Sequence, residues 1–431
     1  MATQKAHIIL ITYHFPPDNA IGGTRPFRFY KYLKRMGYSC TVITASNQAA
    51  DPADDILVIP DSTGVIWAGE AKARRLSVSA HMERIIRRFV IPGCVGVLWS
   101  IDVAASCREI TARRRPQQRV VVYSTFPPLG ALLAGLMVAV RDRIPWICDF
   151  RDPLGLATAV NHYSGFSRFV ARSLEGMAFR TATAVIANTE NLATEWRALY
   201  PCAQRKLQVI WNGFDPEQQP KARELPPRRH KVIIHAGELY AGRNPNIILE
   251  SLARLRTHIA EGRRVRIMLV GPIGYGAGID TSLFEEGTRD GWLDLNRQIP
   301  KEDAQCLTEE ADGLLLLQPQ SAIQVPGKLF DYICIGRPIL ALVPRFSAVE
   351  YILRHAGVPY VCIYSNDDAP TTDRKLSEFI QLPSHPVPFS SWFHEGFGAK
   401  QQTAQLSSII DAIDDASSPS SDQCRQPSVH L

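Results

Sequence analysis

Three short segments of this chain gather residue types that bind or move charge. Residues 324–332 read Gln-Val-Pro-Gly-Lys-Leu-Phe-Asp-Tyr and run on to Gly336-Arg337-Pro338. Pro326 and Gly327 open a helix, so free backbone amides point at whatever sits before it. Lys328 falls on the first turn and reaches a phosphate as a point charge. Asp331 follows at i+3, on the same helical face. A cation for a diphosphate and a carboxylate for ribose hydroxyls, one turn apart, match the two ends of a nucleoside diphosphate. An ordinary i,i+3 salt bridge fits the same spacing. Gln324 and Val325 lead into this turn and count with it as donor-site candidates.

The second segment is Asp149-Phe150-Arg151-Asp152, directly after an apolar run. Two carboxylates and an arginine at the carboxyl end of a strand suit hydrogen bonding to sugar hydroxyls, or proton transfer. An internal Asp–Arg pair that fixes the loop suits the pattern equally. The spacing is D-x-x-D rather than the D-x-D that holds a metal–diphosphate, so no metal is inferred. The third is Gly22-Gly23-Thr24-Arg25, between a first strand and a helix. Glycines there let amides approach an anion, and Arg25 offers a phosphate fork. A plain tight turn is the alternative. Residues 237–245 also follow a strand, and Arg243 precedes the next helix. The glycines at 271, 274, 276 and 278 look dinucleotide-like, but position 279 is Ile, which breaks G-x-G-x-x-G and argues against a dehydrogenase.

The elements that hold these segments alternate. Residues 7–13, 40–45, 120–124, 146–150, 184–188 and 208–211 read as strands. Helices fall between them, one starting near Pro26 and ending at Gly37, others over 129–140, 167–180 and 192–199. Pro- and charge-rich residues 215–230 interrupt the pattern. A second series follows, with strands at 231–237, 266–271, 313–318, 338–343 and 360–364 and helices at 245–260 and 327–335. The expected architecture is α/β, two Rossmann-like doubly wound domains facing across a cleft, with ligands at the carboxyl ends of strands. The domains are residues 1–212 for the acceptor and 231–395 for the donor, joined by a linker at 213–230. A helix at 396–414 packs back on the first domain, and residues 415–431 form a disordered tail.

With 431 residues, 45% hydrophobic and 21% charged, the chain is long enough for two such cores. Residues 89–105 come nearest to a membrane span but contain Pro92, Gly93, Gly96 and Asp102, so they read as core. No cleavable signal pattern opens the chain, which points to the cytoplasm. Nine dispersed cysteines without a C-x-x-C pair read as buried thiols in a reducing compartment, not as a zinc site. The net charge of +6 is concentrated in the N-terminal half. Residues 72–92 place Met82, Ile85, Ile86, Phe89 and Val90 on one helical face with arginines largely elsewhere. That pattern fits an ordinary domain helix, or peripheral contact with an anionic membrane on its inner face. A nucleic-acid partner is not expected.

Taken together, these segments resemble the GT-B glycosyltransferases, most closely the large retaining family four with its "glycosyl transferases group 1" C-terminal domain. The residues that carry the resemblance are Phe15-Pro16-Pro17, Gly22-Gly23-Thr24-Arg25, Ser124 with Pro127-Pro128, and Asp149-Phe150-Arg151-Asp152-Pro153. Asn188-Thr189-Glu190, Asn212-Gly213-Phe214-Asp215 and the 325–332 run complete the set. The resemblance implies transfer of a sugar from a nucleoside diphosphate sugar to a glycan, lipid-linked or small-molecule acceptor, with retention and without metal or other cofactor. It implies that Gly22 and Gly23 lie near donor diphosphate and acceptor, that Arg243 matches the family's diphosphate-binding lysine, and that Asp331 binds ribose in place of the second glutamate of Glu-x7-Glu. Ile323 stands where the first glutamate would fall, and Glu238 where many members have an arginine. Asp149 and Asp152 are the candidates for acceptor contact, and Asp152 as a base would imply inversion. A nucleotide-sugar 2-epimerase of the same fold and a non-catalytic nucleotide-sugar-binding subunit are the alternatives.

Overall fold

A computed structural model describes residues 5–18, 20–46, 55–61, 90, 94–114, 118–156, 165–226, 229–256, 264–296 and 299–416. The basic segment 72–92, apart from Val90, and residues 417–431 of the expected tail lie outside the described residues, while residues 415 and 416 belong to the C-terminal helix.

Two parallel sheets form the framework. The first has the order β3-β2-β1-β4-β5-β6-β7, with β1 at His7–Ile11, β2 at Ser39–Thr44, β3 at Ile56–Val58, β4 at Val120–Phe126, β5 at Trp146–Phe150, β6 at Ala184–Ala187 and β7 at Leu207–Val209. The second has the order β10-β9-β8-β11-β12-β13, from β8 at Lys231–Ala236 and β9 at Val265–Val270 through β10 at Leu293–Asn296, β11 at Gly313–Leu317 and β12 at Ile339–Val343 to β13 at Tyr360–Tyr364. All five residues of β1 and all five of β11 are buried, because a central parallel strand is covered by helices on both faces. Alternation assigns the faces: Ile9 and Ile11 join one hydrophobic cluster, Ile8 and Leu10 the other.

Strand order reverses between β1 and β4, and again between β8 and β11. These switch points open crevices beyond the strand ends. The helix after β1 has Gly22 and Gly23 in its first turn; the loops after β8 and β11 carry Arg243 and residues 324–327, with Lys328 opening the next helix. The C-terminal helix Ala399–Ala416 sends Leu406, Ile410 and Ile413 into the cluster of Phe29, Tyr30 and Leu33, so the last element packs on the first domain.

Several elements differ from the sequence reading. The first helix is Ile21–Arg35, starting at Ile21 rather than near Pro26. A proline inside a helix leaves the carbonyl of residue i−4 without its amide partner. Here that carbonyl is Gly22 O, and Arg151 Nη1 supplies the missing donor at 3.0 Å. A helical proline is thus accommodated by a guanidinium 129 residues away. Within residues 89–105 the described part from Trp99 onward belongs to a helix, Trp99–Arg113. Strand β10 and the helices Thr281–Arg289 and Lys301–Glu309 were not anticipated.

Candidate functional site

The N-terminal wall is built around Arg25, on the first helix. Its Nε and Nη2 donate to the two oxygens of Asp149 at 2.7 and 2.9 Å, and its remaining bonds reach Ile210 O at 2.9 Å and Trp211 O at 2.6 Å. Tyr123 Oη also donates to Asp149. Arg25 is 3% exposed and Asp149 fully buried. The expectation of a phosphate fork at Arg25 is therefore corrected, because its guanidinium is consumed by a carboxylate and two carbonyls. Asp149 is corrected likewise. Its oxygens are taken by Arg25 and Tyr123, so it holds the wall together and does not face an acceptor. The internal pair does exist, but between Arg25 and Asp149 rather than within the 149–152 segment.

Arg151 clamps the same wall. Besides Gly22 O it reaches Pro127 O, while Asn188 Nδ2 donates to Arg151 O. It sits behind Gly22, where an added Cβ would lie 3.3 Å from its Nη1. Gly23 needs its lack of a side chain, since a Cβ would meet His14 O at 3.1 Å and the Phe15 Cα at 3.2 Å. Asp152 faces the second domain and accepts from Gln324 Nε2 at 2.6 Å. Burial holds its carboxyl above the usual range, against that hydrogen bond and the charges of Arg151 and Arg243.

The C-terminal wall is differently made. Lys328 opens the helix Lys328–Ile335 and turns back over the end of β8, where its Nζ donates to Ala236 O at 2.8 Å. It fits there because the next residue is glycine. Gly237 has φ +151°, and a Cβ on it would lie 2.0 Å from Lys328 Nζ. The same point is 3.7 Å from His235 Nε2. His235 is buried within β8, with Nδ1 at 3.0 Å from Leu315 O. Nδ1 therefore carries the proton, and Nε2 is a lone pair with no hydrogen-bond partner among the described residues. Burial, with Lys328 and Arg243 nearby, keeps this ring neutral by lowering its pKa well below 6.5. Burial and the Arg243 charge lower the Lys328 ammonium to about 8.

Arg243 stacks over Tyr240, its Cζ 4.6 Å from the ring centroid, and donates from Nη1 to the Tyr240 hydroxyl at 2.5 Å. Its Nε is buried without a partner among the described residues. Asp331 is exposed at its own surface but walled by both domains. That partial desolvation raises its carboxyl to about 6, opposed by Arg28, Lys301 and Lys328. Lys328 and Asp331 share the helix start as expected, but Lys328 bonds to the strand below it.

Val325 is 7% exposed and packs its side chain in the core of the second domain, which leaves its backbone to serve the donor site. Ile323 packs against the hydrophobic cluster of the first domain, and its carbonyl accepts from Thr189 Oγ1 at 2.8 Å. The position read as a missing glutamate is therefore a joint between the two domains. Glu238 lies against Gly274, where a Cβ would meet its Oε1 at 2.2 Å. Sequence reasoning missed His235 and Arg28. Arg28 is buried one turn after Arg25, donates to Gly213 O, and is lowered to about 10 by burial and Arg25, with Asp331 pulling it back up. Its signal was available as the i+3 repeat of arginine on one helix. Among the described residues no three His, Cys, Asp or Glu side chains gather as metal ligands, and no helix is long and apolar enough to cross a membrane.

Comparison with known proteins gives a partial family match. Residues 23–218 match the model described as Glycosyltransferase Family 4. That match spans less than half of the chain, and the two parallel sheets with alternating helices are of the GT-B type. The 2-deoxystreptamine glucosyltransferase of Streptomyces kanamyceticus is 22% identical over 262 residues. That alignment covers 58% of this chain and 66% of the relative, just under two thirds of its length. The fold recurs in solved structures. Sucrose-phosphate synthase from Thermosynechococcus elongatus superposes with a TM-score of 0.61 at 12% identity, covering 96% of this chain and 100% of that one. Anabaena HepE in complex with UDP and glucose gives 0.54 at 15% identity, over 94% and 99%. At these identities the structural likeness concerns the fold.

Proposed function

We propose that the chain moves a sugar from a nucleoside diphosphate sugar to a glycan, lipid-linked or small-molecule acceptor, with retention at the anomeric carbon and without a metal or other cofactor. The observation that supports this most is the cationic pocket beside Gly237. There Lys328 and Arg243 keep donor N–H groups in hand, and a glycine turn admits the lysine amine. The diphosphate lies across the start of helix Lys328–Ile335, where amides and the helix dipole add to the two side chains. Asp331 takes the ribose hydroxyls from one turn further along.

As the bond from the anomeric carbon to the phosphate oxygen breaks, negative charge grows on the departing diphosphate, and Lys328 and Arg243 stabilise it. The acceptor oxygen bonds to the anomeric carbon on the same face. Its proton passes to the oxygen of the departing phosphate. Retention is favoured because Asp149 is sealed by Arg25 and Asp152 is engaged by Gln324, which leaves neither poised as a general base. The donor site belongs to the second domain and the acceptor to the helix start at Gly22 and the loop at Asp152. A cytoplasmic location, where nucleotide sugars are made, is part of the same proposal.

Incubation of the purified chain with a panel of nucleoside diphosphate sugars tests the reading. Slow donor hydrolysis without acceptor is expected, and NMR of the product should show the donor's anomeric configuration. Activity should survive a chelator. Release of an altered but intact nucleotide sugar would assign an epimerase instead. Tight binding without turnover, even with lipid-linked and small acceptors, would sink the enzyme reading.

A further inference from the structure

We propose that the outer face of the helix Gly165–Thr181 docks on an anionic lipid bilayer. This surface lies apart from the donor cleft and does not rest on the donor-site reading. A groove of about 430 Å³ runs along it, lined by Arg168, Phe169, Arg172, Gly176, Arg180 and Tyr200. The spacing explains the groove. Residues 165, 168, 169, 172, 173, 176 and 180 recur at i+3 and i+4, so they form one stripe of the helix. The opposite stripe, Ser167, Ala171, Glu175 and Ala178, is buried. Gly176 keeps the stripe concave, since a Cβ there would press on the Tyr200 ring at 3.3 Å.

Two features identify the occupant. The groove is lined by three arginines and no carboxylate. Phe169 stands exposed within this stripe at 69%, and Phe166 at 62% and Met177 at 41% stand exposed beside it, one residue round the helix from Gly165 and Gly176. Single exposed hydrophobes are ordinary, but three on the solvent side of one helix, along and beside a stripe of arginines, are not. A soluble phosphate would meet the arginines and leave the rings in water. A bilayer of acidic lipids satisfies both, with rings at the headgroup–acyl boundary and guanidiniums on the phosphates. The face also sits directly behind the cleft. Arg172 Nε donates to Gly155 O at 3.3 Å, and the buried Glu175 accepts from the amides of Leu154 and Gly155 at 2.9 and 3.1 Å. Those residues continue from Asp152, so docking would bring the N-terminal loops of the cleft close to the lipid surface.

Cosedimentation of the full chain with vesicles tests this. Vesicles of phosphatidylcholine alone are compared with vesicles of phosphatidylcholine and phosphatidylglycerol in equal parts. The wild type should prefer the anionic vesicles, and both Phe166→Ser/Phe169→Ser and Arg168→Gln/Arg180→Gln should weaken that binding about ten-fold or more. Melting temperature and nucleotide-sugar binding should stay unchanged in both variants. Equal binding to the two vesicle types, or none, overturns the proposal. So does anionic-vesicle binding that neither variant weakens, which would place the contact elsewhere on the chain. Competition by inorganic phosphate together with an unaffected phenylalanine variant would assign a soluble-anion site instead.

Discussion

Arg25 and Lys328 are both cations near the starts of helices that follow a switch-point loop, one in each domain. Arg25 has its donors filled by Asp149, Ile210 O and Trp211 O. Among the described residues Lys328 makes a single hydrogen bond, to Ala236 O, and burial and the Arg243 charge push its proton off. The first arrangement is an internal brace, and the second is a site waiting for an anion. Burial is common to both and decides nothing by itself. What separates them is whether opposite charge and carbonyl oxygen have already been supplied. The same test sorts Asp149 from Asp331, a carboxylate locked by an arginine and a tyrosine against one that faces the cleft.

The sharpest way to break this contrast is to remove one partner from each side. Asp149→Ala leaves Arg25 buried without its counter-charge, a loss of about 3–5 kcal/mol for such pairs. Thermal unfolding should drop on the order of 10 °C, and nucleotide binding should recover when the protein is measured well below its new midpoint. Lys328→Ala should do the reverse. Losing a charged hydrogen bond to phosphate, worth about 1.5–3 kcal/mol, weakens nucleotide-sugar binding about ten- to a hundred-fold. Its melting temperature should hold or rise, because a desolvated ammonium has been removed. If calorimetry finds the two variants alike, the division between brace and site is wrong.

The pH dependence of donor binding sharpens the comparison further. Lys328 in the free protein titrates at about 8, so affinity should fall as pH rises through 8 and the ammonium is lost. Asp331 titrates at about 6, so affinity should also fall as pH drops through 6 and the carboxylate that accepts ribose hydroxyls is protonated. A maximum between the two is expected. Asp331→Asn should lower affinity and flatten the acid limb while leaving the alkaline limb in place. An alkaline limb that persists in Lys328→Ala would assign it to another group.

The same contrast marks where sequence stops being informative. Alternation of apolar runs and helices, the Pro-rich break and the order of the loop motifs are local, and they give both sheets and the loops at their switch points. Pairing is not local. Arg25 meets Asp149 across 124 residues, and Arg151 reaches Gly22 across 129, so nothing near position 25 reports that the guanidinium is already spent. The helix start at Ile21 was hidden for that reason, since Pro26 reads as a first-turn proline unless Arg151 is known to cover Gly22 O. Ile323 reads as a lost ligand until the first domain is seen packed on it. Strand β10, Leu-Asp-Leu-Asn at the edge of its sheet, is too short and too polar to stand out.

The smallest expected effect concerns the bridge between the walls. Gln324 Nε2 and Asp152 Oδ1 are 2.6 Å apart, each from a different domain. If Asp152 is a joint rather than a base, Asp152→Asn keeps an oxygen that can accept the same N–H. It should change turnover by no more than a few-fold, since one neutral hydrogen bond is worth about 1 kcal/mol. Asp152→Ala removes the acceptor and should cost somewhat more, but less than Lys328→Ala costs donor binding. The anomeric configuration of the product should be the same in all three variants. A general base would behave otherwise, because Asp152→Asn would then lower turnover by about a hundred-fold or more with nucleotide affinity intact. That outcome would move the chemistry to the N-terminal wall and make the transfer inverting.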